Sequence, residues 1–261
     1  MSDAARQILD DLSQVRQLRE ARTADLALGL RIHAIKEYQH QRFTQTYQDA
    51  LQDTDCSSAA QFFLDEIYGP TDFERRDTEF ARVVPALVRL FPVAIVETVQ
   101  ALIRLHLLSE SLDDAMGAAL TSTSCSETQY QTAWRRVGRE PERRLQVDLI
   151  ARVGRAMSWH TRSKVLRHSL RAMRGPATVA GLATLQQFLE RGFVTFGRLP
   201  DAQAFINMIV ERESELITRL FGAKRPQILR EPFRVLSGGC SINAAHKGKH
   251  STVSSRVLPV N

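Results

Sequence analysis

The sequence predicts an all-α fold, a multi-helix bundle followed by a disordered C-terminal tail. Three observations carry this reading. Apolar residues recur with helical spacing along almost all of residues 3–221. No β-branched run alternates with period two. Gly and Pro are sparse before residue 174, so little interrupts the helical pattern. The chain has 261 residues, 43% apolar and 25% charged, an ordinary globular composition. At this length it can bury roughly 70–75% of its unfolded surface without disulfide or metal staples.

Helices are predicted over 3–20, 24–52, 56–68, 72–91, 92–120, 127–138, 142–173, 177–192 and 201–221. Gly69-Pro70 ends the third. Thr71-Asp72-Phe73-Glu74 then reads as a capping box, with the Thr71 hydroxyl and the Glu74 carboxylate satisfying free amides at the next helix start. Pro85 should kink or split its segment. Pro92 has no amide hydrogen and is preset for a first helical turn. Pro176 and Asp201 can start later helices, by fixed φ and by side-chain capping respectively. Phe80, Val84, Leu87, Val88 and Phe91 share one face, as do Ile95, Val99, Leu102 and Leu105 on the next helix. These faces predict that the hairpin 72–120 is the centre of the bundle. Phe188, Phe193, Phe196, Phe205, Ile206 and Ile209 are expected to pack the later helices.

Residues 1–225 read as one helical domain and 226–261 as a disordered tail, because SGGCSINAAHKGKHSTVSS is polar and aperiodic. Net charge is +6 but unevenly placed: the acidic part, residues 1–130, carries net −8, and within the basic part, 131–225, residues 131–174 alone carry net +9. Either the two parts attract each other across the fold, or the basic part faces an anionic partner. Cys56, Cys125 and Cys240 are far apart and form no Cys-x-x-Cys pair, which predicts reduced thiols and a cytoplasmic setting. MSDAARQILDD is charged and unlike a signal peptide. The most apolar stretch, Pro92 to Leu108, is interrupted by Glu97, Arg104 and His106, so no membrane span is expected.

Three constellations could carry chemistry. On helix 24–52, His33, Glu37 and His40 lie on a stripe with Leu26, Leu30, Thr44, Tyr47 and Leu51. Two imidazoles and a carboxylate suit a transition metal, and Glu37-x-x-His40 has the spacing of helical di-iron sites. On helix 92–120, His106, Glu110 and Asp113 repeat that spacing, and if the two helices face each other six ligand-type groups could converge on iron or manganese. A lone His on such an apolar face could instead hold haem. The competing reading is a structural, hydrogen-bonded polar layer. In the third constellation, around 152–174, Trp159, Leu166, Leu170 and Met173 form an apolar side and Lys164, Arg167, His168, Arg171 and Arg174 a cationic one, with Arg162 out of place. Such a face could neutralise phosphates or rest on anionic lipid. Asp72-Phe73-Glu74-Arg75-Arg76-Asp77 reads as a solvated helix start with local ion pairs. No Gly-x-Ser-x-Gly, phosphate loop or zinc-finger pattern is present, and no catalytic residue is predicted.

The blocks FFLDEIYGPTDFERRD (62–77), FARVVPALVRLFP, LHLLSESLDDAM and GLATLQQFLERGFVTFGRLPDAQAFINMIVERE together resemble an uncharacterised family of helical proteobacterial proteins, a domain of unknown function, over roughly residues 25–220. The resemblance implies a helical protein of the bacterial cytosol and implies no reaction, cofactor or site residue. The leading expectation is a non-enzymatic binding or regulatory module, one that could self-associate through an apolar helix face. The alternatives are a metal- or haem-dependent helical-bundle oxidoreductase and a protein that binds anions or nucleic acid through Lys164, Arg167, Arg171 and Arg174.

Overall fold

The computed structural model describes residues 2–66, 69 and 73–222. Among these it contains twelve α-helices and no strand: α1 (Asp3–Ala24), α2 (Leu26–Thr46), α3 (Gln48–Gln52), α4 (Ser57–Glu66), α5 (Glu74–Leu90), α6 (Val93–Ala119), α7 (Glu127–Val137), α8 (Glu140–His160), α9 (Lys164–Ala172), α10 (Arg174–Val179), α11 (Ala183–Arg198) and α12 (Ala202–Gly222). Thr71, Asp72 and the segment 226–261 lie outside the described residues, and with them the expected capping box and tail.

Local chemistry sets the boundaries. Ser2, Asp25, Ser126 and Ser163 each accept an amide N–H of the helix they precede, and Asp201 accepts from Ala204 N at 2.9 Å. Ser126 and Gln129 form a reciprocal capping box. Gly138, at φ 66°, and Arg139, at φ 59°, take the left-handed conformation that reverses the chain between α7 and α8. Three predicted helices are divided, 177–192 among them, which breaks at residues 180–182 between α10 and α11. The segment 24–52 breaks at Tyr47, whose buried hydroxyl donates to Glu213 Oε1 at 3.0 Å. The segment 142–173 breaks at Thr161–Ser163, where the Ser163 hydroxyl starts α9 afresh. Pro85 does not split α5; it lies on the exposed side, where the carbonyl freed by its missing amide can be solvated.

The centre of the bundle is α6 alone, which corrects the expected 72–120 hairpin. It packs along α1, α2 and α8, and α8 packs along α12, whereas α5 meets α6 over a short stretch. Leu105, Leu108 and Leu112 of α6 join Phe43, Phe63 and Ile209 in the largest apolar cluster. Met116 joins Ile35 of α2, Trp134 of α7 and Leu216 and Ile217 of α12 in a second. Ile103 joins Ile8, Phe80 and Val84 in a third. Of the later aromatic set, Phe196, Phe205, Ile206 and Ile209 are buried as expected.

Two glycines allow close approaches between helices. A Cβ on Gly117 of α6 would stand 3.2 Å from the Ile32 backbone and 2.3 Å from its Cγ1. A Cβ on Gly154 of α8 would meet the Ile206 side chain at 2.3 Å. Gly117→Val therefore forces α2 off α6 and is expected to cost about 1–3 kcal/mol, read as a lower urea midpoint with the slope retained.

Candidate functional site

His106, Glu110 and Asp113 of α6 face inward and are met by three other helices. His106 Nε2 lies 2.7 Å from Asp77 Oδ2 of α5, and Arg19 of α1 donates to the same oxygen at 2.7 Å. Arg22 of α1 pairs with Glu110 and Asp114. Lys36 of α2 donates to the other Glu110 oxygen at 2.7 Å, and Gln39 donates to Asp113 at 2.9 Å. Arg76 is enclosed between the rings of Phe73 and Phe188, 4.0 and 4.5 Å from their centroids, and pairs with Glu66 at 3.1 Å.

These surroundings set the protonation states. Burial would raise the Glu110 pKa, but Lys36 and Arg22 outweigh it and bring it down to about 2. Asp77 follows the same balance: burial opposes ionisation, and His106 with Arg76 and Arg19 more than offsets it. Asp113 is pushed up by burial, which nearby Lys36 and the Gln39 amide only partly offset. Burial likewise raises Asp114 despite Arg22.

The two predicted His/carboxylate stripes do not meet. His106, Glu110 and Asp113 point into the bundle, but their partners are arginine, lysine, glutamine and Asp77. His33 and Glu37 form a 3.3 Å pair on the surface, with side chains 55% and 56% exposed, and His40 sits at the boundary. The buried stripe of α2 is Ile32, Ile35, Gln39 and Phe43, with Lys36 beside it. It is one residue out of phase with the predicted stripe, whose Leu26 and Leu30 are exposed. Among the described residues no group of three or more His, Cys, Asp or Glu side chains is arranged to hold a metal ion.

The charge-dense start of α5 also differs from its expected solvated role: Asp77 is buried, and the Arg76 side chain is nearly so. Arg19, Arg22 and Lys36 carried no recognisable motif. Their one sequence signal is a cation at a position that helical phase places on a buried face, opposite a helix with inward carboxylates.

Two chambers lie beside this network and share the wall formed by Phe80, Val99, Leu102, Leu105, Leu185, Phe188 and Leu189. The smaller, about 80 Å³, is lined on its polar side by Asp77, His106, Glu110 and Asp113. The larger, about 250 Å³, is apolar and has walls from α4, α5, α6, α8, α9 and α11. Here the predicted faces of the 72–120 hairpin do meet, but Leu87, Phe91, Ile95, Val99 and Leu102 line a space instead of filling a core. The apolar side of α9, Leu166 and Leu170, closes another wall together with Met173.

One polar contact enters this chamber. Thr98 Oγ1 lies 3.2 Å from His160 Nε2 and donates its proton to Ala94 O at 2.7 Å. Among the described residues no carboxylate meets His160 to orient its imidazole toward Thr98.

The expected cationic face is on the surface: Lys164 and Arg171 of α9, with Arg174 of α10, are exposed. Arg174 pairs with Glu190 and Arg167 donates to Thr161 O at 3.0 Å. Trp159 does not share the apolar side of Leu166 and Leu170, because the break at Thr161–Ser163 separates them; it is 74% exposed on α8. Among the described residues no helix is long and apolar enough to cross a membrane.

The chain belongs to a family described as a domain of unknown function (DUF8198), whose model matches residues 18–227. No curated protein and no solved structure matches it.

Glu110 has a folded pKa below its unfolded value of 4.5, so its stabilising effect is present above pH 4.5 and is lost as pH falls from there toward about 2. The shift corresponds to about 3 kcal/mol. Glu110→Gln is expected to be destabilising at neutral pH, since Arg22 and Lys36 lose their anion. The gap between variant and parent unfolding free energies, measured in urea at a series of pH values, should narrow through that window.

Proposed function

We propose that this protein is a non-enzymatic binding protein of the bacterial cytosol whose ligand carries an extended apolar chain, held in the chamber between α5, α6, α8, α9 and α11. The observation that carries the reading is the apolar space itself, about 250 Å³. Interiors are close-packed, and voids much larger than a water molecule are few. An apolar cavity of roughly 150 Å³ stays dry and takes up benzene, so this one has room for a longer hydrocarbon. A flexible acyl chain fits walls contributed by many helices better than a rigid polar metabolite, which would leave its hydrogen-bonding groups unsatisfied.

Binding is favoured over catalysis by the chemistry of the walls. Thr98 and His160 touch, but among the described residues no carboxylate orients the His160 imidazole as a general base. The Asp77–His106 pair lies across the shared wall in the smaller chamber, where Arg19 also engages Asp77. The cytosolic setting is supported by the family resemblance and by the sparse cysteines, of which Cys56 is a buried thiol.

The test is titration with dodecanoate and hexadecanoate, followed by native mass spectrometry and by displacement of a fluorescent fatty-acid probe. One ligand per chain is expected. Leu102→Trp places a larger side chain in the chamber and should weaken binding at least tenfold while the melting temperature is held or raised. Absence of saturable binding, or equal binding by Leu102→Trp, overturns the reading.

A further inference from the structure

We infer that the end of the molecule around α9 is a docking surface for an anionic lipid bilayer; the inference builds on the acyl-chain reading of the chamber and is tested separately from it. The end in question is where the α5–α6 turn, the end of α8 and the whole of α9 come together. Phe91, Ile95, His160, Leu166 and Met173, drawn from all of these elements, line one chamber, and Thr98 of α6 contacts His160 of α8.

Apolar side chains are left in solvent there. Trp159 is 74% exposed, Met173 50% and Phe91 44%; Leu90 and Val93, which flank Phe91 in the chain, and Val165 of α9 are exposed too. Single exposed apolar residues are ordinary, but a group of them at one end of a molecule marks an interaction surface. Phe91 and Met173 are also chamber-lining residues, so this surface is continuous with the mouth of the apolar space.

Charge identifies the occupant. Arg155, Arg162 and Lys164 are exposed and have no acidic partner among the described residues. Arg171 and His168 lie on the same exposed side of α9 as Lys164, by helical phase. The acidic part of the chain does not consume these charges: Asp49, Asp65 and Asp77 are paired with Arg212, Arg191 and Arg19. The apolar side of α9 is turned to the chamber, so a bilayer would be met by its cationic side together with the exposed Trp159 and aliphatic side chains: basic residues are drawn to anionic headgroups and tryptophan to the membrane–water interface. A purely polyanionic partner such as nucleic acid would use the cations and leave Trp159, Val165 and Leu90 without a role. A bilayer uses both, and it brings acyl chains to the chamber mouth.

The experiment is flotation of the full chain with vesicles of phosphatidylglycerol and phosphatidylcholine, beside vesicles of phosphatidylcholine alone, at low and high salt. A Trp134→Phe background leaves Trp159 as the tryptophan that reports insertion. Binding to the anionic vesicles alone, weakened by salt and accompanied by a blue shift of Trp159 emission, is expected. The triple variant Arg162→Glu, Lys164→Glu, Arg171→Glu should lower the partition coefficient by at least about a hundredfold, since loss of each cation near the surface accounts for about a fivefold change and the new carboxylates add repulsion. Trp159→Ser should weaken binding while keeping its salt dependence. Failure to bind anionic vesicles at low salt, or binding unchanged by the triple variant, overturns the inference. So does retention on duplex DNA in place of vesicles, or a change of oligomeric state in the Trp159 variant without any lipid effect. Leu102→Trp separates the two readings: it should lose fatty-acid binding and keep vesicle binding. Vesicle binding lost while fatty-acid titration succeeds counts against the surface and not the chamber.

Discussion

Glu110 sits in the central helix, buried and ionised, and an ionised carboxylate in that position costs several kcal/mol in desolvation unless cations reach it. The cations come from two helices that precede α6 by many residues: Arg22 from α1 and Lys36 from α2. Each must arrive at one register for both carboxylate oxygens to be matched. His106, close to one turn earlier on α6, repeats the demand on α5 through Asp77, and Arg19 closes the circuit back to α1. Sliding any of these helices past α6 by one turn would separate partners and leave a charge unpaired in the interior. Apolar packing between α1, α2 and α6 supplies the larger share of the burial, but leucine and isoleucine faces tolerate several registers. The ion pairs tolerate few, and Gly117 adds a steric condition at the Ile32 crossing.

The same constraint accounts for the chamber. The N-terminal half of α5 is tied down twice. Asp77 is bound to the α6 network, and Glu79, buried, accepts the Leu185 amide at 2.8 Å and so caps the first turn of α11 from outside. Beyond Val84 the residues of α5 are partly buried or exposed, and their apolar faces lie across a gap from those of α6, α8 and α11. A space bounded by hydrocarbon forfeits dispersion contacts on every wall. In this fold closing it would require α5 or α11 to move, and both are held by groups whose release would expose buried charge. The chamber is therefore kept open by electrostatics located outside it, and a hydrocarbon ligand would recover the missing contacts.

The helical class and several boundaries were legible because they depend on local chemistry: periodic apolar residues, the Asp201 cap and Pro92; the capping serines and the positive φ of Gly138 are equally local but were not singled out. The outcome for α2 shows where local pattern stops. A stripe through Leu26, Leu30, His33, Glu37 and His40 and one through Ile32, Ile35, Gln39 and Phe43 differ by a rotation of the helix, and both contain polar groups. The choice between them is made by Glu110 and Asp113 on another helix, which attract Lys36 and Gln39 inward. No spacing within α2 contains that information. The stripe His106, Glu110, Asp113 lies on the inner side of α6, but its partners proved to be cations, an amide and the Asp77 carboxylate instead of the predicted second ligand set. The burial of Arg76 and Asp77 was hidden for a related reason: a run of alternating charges at a helix start usually lies in water, and only the third dimension puts Phe73 and Phe188 against the Arg76 guanidinium.

The uneven charge of the chain divides in the same way into two populations. Carboxylates of residues 1–130 are met largely by arginines and lysine of that part, and by Arg191 and Arg212 from the C-terminal helices. Arg139, Arg144 and Arg174, in the basic part, take Glu142, Glu140 and Glu190. Attraction between the acidic part and residues 131–174 is thus not the main use of either. The buried pairs are short and shielded from solvent ions, so ordinary salt alters them little. The cations at the end of α8 and on α9 are exposed, and a Debye length of about 8 Å at physiological ionic strength governs what they can attract. Structural charge and surface charge in this molecule can therefore be separated by ionic strength alone: the first fixes the register around α6, and the second is available to whatever approaches the open end of the chamber.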